Sequence, residues 1–227
     1  MTDIKKHQRV NDILLGPLER PALKWLAAHM PARITPDICT FIGVAGAILI
    51  TVSYILSRLD RNFLWLASLG FIVNWFGDSL DGTLARFRGI ERPIYGFFVD
   101  HITDAASQMI IFVGLGMSPY VNFNVACLAL IAYLLLSVLV YVRTCVAGEF
   151  KISYGRLGPT EIRVIAILLN TSMYFFGLHT FSFTPGFLGP LTVSIYDLVV
   201  AAIALLLFFF FTLTATQETI RLATANK

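Results

Sequence analysis

Stretches of about 20 mostly apolar residues, long enough for a helix to cross the hydrocarbon core of a bilayer, recur six times along this chain. They fall at 36–57, 62–86, 94–117, 123–146, 161–179 and 193–216. The chain has 227 residues, of which 57% are hydrophobic and 14% charged, with a mean hydropathy of +0.75. A soluble domain of this length needs far more polar surface to cover its core. The expected fold is an all-α integral membrane protein with six transmembrane helices.

The segment "GPLERPALKWLAAHMP" precedes the first span. Leu18, Ala22, Trp25 and His29 recur at helical spacing, with Arg20 and Lys24 beside them. This predicts a short amphipathic helix lying in the interface, with Trp25 as its anchor. Residues 1–34 are therefore read as an N-terminal segment with an interfacial helix, and 35–227 as the six-span domain. The opening residues lack the apolar run and small-residue cleavage site of a signal peptide.

Placing both ends of the chain inside leaves only Arg58 and Arg61 of its 17 lysines and arginines outside. That asymmetry follows the positive-inside rule, favours an even number of spans and predicts a cell-membrane protein with both termini cytoplasmic. The formal net charge of +3 is too small to argue for nucleic acid. Cys39, Cys127 and Cys145 are widely separated and read as reduced, packed thiols.

Spans two and three carry an unexpected load. Asp78, Asp81, Gly82, Ala85 and Arg86 share one helical face, and Gly96, Asp100 and Asp104 share another. The polar halves lie at the same depth on either side of a short loop, which opens to the cytoplasm in this orientation. Each aspartate at membrane depth costs about 2.5–3.5 kcal/mol, and four facing carboxylates repel one another. One arginine can neutralise only one of them. Divalent cations resolve the imbalance, and an all-oxygen donor set suits Mg²⁺ or Mn²⁺. Two such ions form the usual clamp for displacement at phosphorus, and Arg86 suits a phosphate oxygen. A structural ion-pair network fails on its charge imbalance. A cation transporter would need polar residues through the full depth of the membrane, and the outer halves of both spans are apolar.

The pattern Asp78-x-x-Asp81-Gly82-x-x-Ala85-Arg86, followed after nine residues by Gly96-x-x-x-Asp100-x-x-x-Asp104, resembles the signature of the CDP-alcohol phosphotransferase family at all its defining positions. The resemblance implies a homodimeric membrane enzyme of phospholipid synthesis with two divalent ions per site. Such an enzyme cleaves a CDP-linked substrate, passes a phosphate-bearing group to an alcohol and releases CMP. It implies Asp78, Asp81, Asp100 and Asp104 as metal ligands and Asp104 as the base for the acceptor hydroxyl. Gly82, Ala85, Arg86 and Gly96 would border the CDP moiety, with Arg86 near its diphosphate. "ITPDICT" resembles the family's segment opening the first span, with Asp37 where that pattern has asparagine.

The segment between spans four and five should select the acceptor. Arg143, Lys151, Arg156 and Arg163 are candidate bases for a phosphorylated alcohol, with a CDP-diacylglycerol-like donor. In an alternative, "GPTE" (Gly158 to Glu161) is similar to a segment of choline and ethanolamine phosphotransferases. Glu149 or Glu161 would then face a cationic headgroup, and diacylglycerol would be the acceptor. His101 lies off the carboxylate face and reads as a packing or dimer-interface residue. Asp197 is expected to pair with an unidentified neighbour.

Overall fold

In a computed structural model, residues 14–147, 158–183 and 191–225 are described. Their order is α1 (Gly16–His29), α2 (Pro36–Leu56), α3 (Phe63–Arg88), α4 (Pro93–Gly116), α5 (Phe123–Ala147), α6 (Pro159–Phe176), β1 (Thr180–Phe183), β2 (Leu191–Ser194) and α7 (Ile195–Ala225). Helices α2 to α7 occupy the six predicted stretches. Four of them, α2, α3, α5 and α7, are long and apolar enough to cross a membrane. α4 carries the polar run around Asp100 and Asp104, while α6 has 18 residues and opens with Glu161 and Arg163.

Helix boundaries follow local chemistry. Proline stands in the first turn of α1, α2, α4 and α6, where its missing N–H costs nothing. Thr35 caps α2 by accepting from the Ile38 amide at 3.3 Å. Gly89 ends α3 in the left-handed region at φ 64°. α6 ends at Gly177, and the chain then forms the antiparallel β1–β2 hairpin, with Thr180 opposite Ser194. The span pattern gave no sign of this hairpin. α7 runs to Ala225, well beyond the predicted 216.

The α2–α3 pair forms the centre of the bundle, and small residues set its closeness. A Cβ on Gly46 would lie 2.5 Å from the Asn74 nitrogen, and one on Gly77 would overlap the Gly43 backbone. Matching Gly43 to Gly77, Gly46 to Asn74 and Ile50 to Gly70 makes the pair antiparallel. Gly114 of α4 meets Thr51 of α2, while Tyr95 and Asp37 line one cleft, so α2 and α4 run parallel. His101 meets Tyr141 near the end of α5, with ring centroids 4.7 Å apart. Arg143 of α5 reaches Glu218 near the end of α7 at 2.8 Å. The start of α4 and the ends of α5 and α7 therefore gather at the end of the bundle that holds the aspartates.

At the opposite end, Asp197 finds its neighbours: its carboxylate accepts from the amides of Asn122 at 2.6 Å and Ser194 at 2.8 Å. In mid-bundle, the Tyr54 hydroxyl donates to Asn170 at 2.8 Å, and Asn170 donates to Ser68 at 3.2 Å. These bonds satisfy polar groups that would be expensive to leave unpaired in an apolar interior. Cys39 is buried and, like Cys127 and Cys145, is a free thiol.

α1 lies against α3 through Leu23 and Ala27, leaving Leu18 and Trp25 outward at 74% and 61% exposure. Trp25 stacks on His29. Leu18 and Trp25 thus form an outward apolar row on α1. The inner side is tied by Glu19, whose Oε1 accepts from Trp75 Nε1 at 2.8 Å, Thr160 Oγ1 at 2.9 Å and Ser79 Oγ at 3.2 Å. Glu19→Ala leaves these three donors without their acceptor and is expected to destabilise the protein by about 2 kcal/mol. Thermal melting in detergent checks this; an unchanged Tm would mean that apolar packing and the Leu15–Glu161 bond suffice to hold α1.

Candidate active site

Two features of the backbone put the site together. The Gly89 turn reverses the chain after α3, and α2 packs against both α3 and α4, so their aspartate ends lie on either side of it. Three carboxylates then converge. One oxygen each from Asp78, Asp100 and Asp104 lies within 4.8 Å of the other two, all on partly buried residues. Three acids this close repel strongly in a low-dielectric setting. An oxygen-only donor set of this kind fits a hard divalent cation, and these three residues could hold one.

Asp81, expected among the same ligands, is turned toward α2. Its Oδ2 accepts from the Thr40 hydroxyl at 2.7 Å and its Oδ1 from the Gly82 amide at 2.5 Å. The reason is rotational: three residues along a helix is about 300°, so Asp78 and Asp81 diverge by roughly 60°. That is enough for one to face α4 and the other α2.

Arg163, expected to serve an acceptor, is 7% exposed and bonded inside the site. Its Nη2 donates to Asp78 Oδ2 at 2.5 Å and its Nε to Asn74 Oδ1 at 2.9 Å. Asn74 in turn donates to the Gly43 carbonyl at 2.9 Å. Arg143 is engaged with Glu218, which also receives Arg221 at 3.1 Å. Lys151 and Arg156, the other two candidate bases, and Glu149 lie outside the described residues. Glu161 is 4% exposed, and both its oxygens are taken: Oε2 by the Gly158 amide at 2.9 Å, Oε1 by the Leu15 amide at 2.7 Å. Within "GPTE", the glutamate caps α6 and tethers α1.

The glycines expected near the nucleotide occupy open positions. A Cβ on Gly96 would meet nothing within 4 Å, and one on Gly82 would meet only the tip of Arg86, at 3.2 Å. Arg86 is exposed and donates to Thr83 at 3.2 Å. Ala85, one turn beyond Asp81, is partly buried. Asp37 pairs with Arg92 at 2.5 Å, and the Arg92 guanidinium lies over the Tyr95 ring at 4.0 Å. Below that pair, α2 and α4 border a cleft of about 210 Å³ lined by Thr40, Phe41, Val44, Tyr95, Val99 and Thr103 as well as Asp37. His101 stacks on Phe97 and abuts Tyr141, as expected of a packing residue.

The sequence reading missed Asn74, Thr40 and Arg92. Asn74 had a signal, being one turn before Asp78 on the same face. Thr40 closes the "ITPDICT" segment but its partner lies on another helix, and Arg92 had no signal because its partner Asp37 belongs to α2.

A family model described as CDP-alcohol phosphatidyltransferase matches residues 33–223. A phosphatidylinositol phosphate synthase from Cutibacterium acnes (strain DSM 16379 / KPA171202) is 33% identical over 90 residues. That match spans 40% of this chain and 41% of the relative, less than half of either.

Proposed function

The chain belongs to the CDP-alcohol phosphatidyltransferase family, and on that premise we propose that it transfers a phosphatidyl-type group from a CDP-diacylglycerol-like lipid to a small polar alcohol, releasing CMP. The family is membrane-embedded and uses CDP-linked substrates. The observation that carries the reading is the meeting of Asp78, Asp100 and Asp104, with ligand atoms within 4.8 Å, in an otherwise apolar bundle. In the proposed enzyme these three carboxylates, joined by Asp81, hold two divalent ions, Mg²⁺ or Mn²⁺. Such ions supply charge neutralisation at the pyrophosphate and at the departing CMP. The proposal includes six spans, a homodimer and a site facing the cytoplasm from the cell membrane. The alternating helix directions and the basic residues at the aspartate end support that orientation.

The chain's own groups divide the work. Arg86 faces the diphosphate, where a planar fork suits two oxygens. Gly82, Ala85 and Gly96 leave room for the nucleotide beside the carboxylates. Asp104 accepts the proton of the acceptor hydroxyl as its oxygen bonds to the lipid-linked phosphorus. The phosphoanhydride bond breaks, and its electron pair leaves with CMP. Positioning does most of the catalysis in such loosely bonded transfers.

Two observations favour the lipid as the CDP-linked partner. The similar Cutibacterium acnes protein is named for making a phosphatidyl product. The glutamate of "GPTE" is 4% exposed and bonded to two backbone amides, which places it poorly for a cationic headgroup.

The test is CMP release from detergent-purified protein with Mg²⁺ and CDP-diacylglycerol, supplied in turn with inositol phosphate, inositol, glycerol phosphate and serine. Release dependent on one acceptor supports the reaction and identifies the alcohol. Release only from CDP-choline with diacylglycerol would reverse donor and acceptor, and silence throughout would revive the cation transporter. Gly96→Val probes the nucleotide position separately. Open space at its Cβ leaves the melting temperature near that of the parent, while KM for the CDP donor rises about tenfold. An unchanged KM would move the nucleotide away from Gly96.

A further inference from the structure

We infer that Arg163 is the internal counter-charge of the aspartate cluster and the positioning residue for Asp78, acting on the chain itself and not on the acceptor. The inference builds on the proposed reading of the aspartates as the reaction centre. Its first support is burial: at 7% exposure, the guanidinium is poorly placed to collect a water-borne alcohol. Its second is commitment. Nε and Nη2 grip Asn74 and Asp78, residues one turn apart on α3, so the planar fork spans exactly the rung of α3 that faces α6.

The third support is the way the grip is oriented. Asn74 Nδ2 donates to the Gly43 carbonyl of α2, which turns Oδ1 toward Arg163. A chain of bonds thus runs from the α2 backbone through Asn74 and Arg163 to Asp78, drawing on three helices. Among the described residues, Nη1 has no hydrogen-bond partner although it is buried. A buried N–H of a charged group is costly to leave unpaired. Its retention fits a guanidinium kept for its charge beside Asp78, Asp100 and Asp104. The imidazole beside the cluster does not take over the role: His101 Nδ1 reaches Asp100 only at 3.9 Å.

A cation supplied from solution and Arg163 offset the same repulsion, so removing the arginine should make the fold lean on the metal. Melting of the full-length protein in detergent, in EDTA and in saturating Mg²⁺, reads this without any substrate. Arg163→Met is expected to melt about 5 °C or more below the parent in EDTA. Mg²⁺ should restore most of that loss, and so should adding Asp78→Asn in EDTA. Should Arg163→Met alone yield no folded protein, recovery of folded protein by Asp78→Asn supports the inference equally. Arg163→Lys keeps the charge but cannot grip both partners. It should melt near the parent in EDTA while kcat falls about tenfold with acceptor KM unchanged.

Equal losses in EDTA and Mg²⁺, with no recovery from Asp78→Asn, would reduce Arg163 to a packing residue. Unchanged melting with acceptor KM raised about tenfold would make it an acceptor ligand. CMP release by the parent protein reads the proposed reaction independently. Its absence alongside the predicted melting pattern would sink that reaction and leave the counter-charge standing.

Discussion

Asp104→Asn is expected to lower CMP release by about 10³-fold or more while the protein still folds. A positioned general base contributes about 10²–10⁴-fold, and the substitution also removes one carboxylate from the group that could hold the cation. Folding should survive because asparagine has the same shape and takes a negative charge out of a crowded cluster. In EDTA the variant should melt at or above the temperature of the parent, since like-charge repulsion is relieved. Measuring release and melting on one preparation separates loss of chemistry from loss of structure. Activity within tenfold of the parent would remove Asp104 from both proposed roles.

Gly77→Leu should have the opposite profile: no folded protein at all. A Cβ at this position runs into the Gly43 nitrogen and the Cys39 carbonyl, which are backbone atoms that cannot rotate away. Relief requires α2 and α3 to separate along the contact that also brings Gly46 onto Asn74. Overpacking typically costs 1–3 kcal/mol, and about this much or more applies where only backbone can yield. Close approach through small residues is what holds helices together where lipid supplies no hydrophobic drive between them. The expected readout is loss of the monodisperse peak on size exclusion in detergent. Gly82→Ala is the control, because its new methyl meets only the flexible Arg86 tip. A well-folded Gly77→Leu protein would show that the α2–α3 approach is not needed for the fold.

The spacing of the aspartates makes the convergence of Asp78, Asp100 and Asp104 legible in the sequence. Helical periodicity places Asp78 near Asp81 and Asp100 near Asp104, and the short connection between α3 and α4 brings the two pairs to one depth. Periodicity is blunt to within about 60°, so it could not separate Asp78, which faces α4, from Asp81, which faces Thr40 on α2. The basic residues at the end of α5 and the start of α6 were harder. As a list of charges they suggest an anion pocket. In the structure, Arg143 is joined to Glu218, seventy-five residues away, and Arg163 to Asp78, eighty-five away.

Some features were settled by the sequence alone because they depend on neighbours along the chain. Helix positions, prolines in first turns, the apolar character of the spans and the placing of basic residues all rest on local composition and on partition between water and lipid. The partners of Arg163, Asp37, Glu19 and Glu161 rest on which helix faces meet. That is decided by the glycine contacts between α2 and α3 and the docking of α1 and α6 against them. A charged side chain in an apolar bundle must find a partner; the sequence supplied the charges, and only tertiary packing chose which would meet.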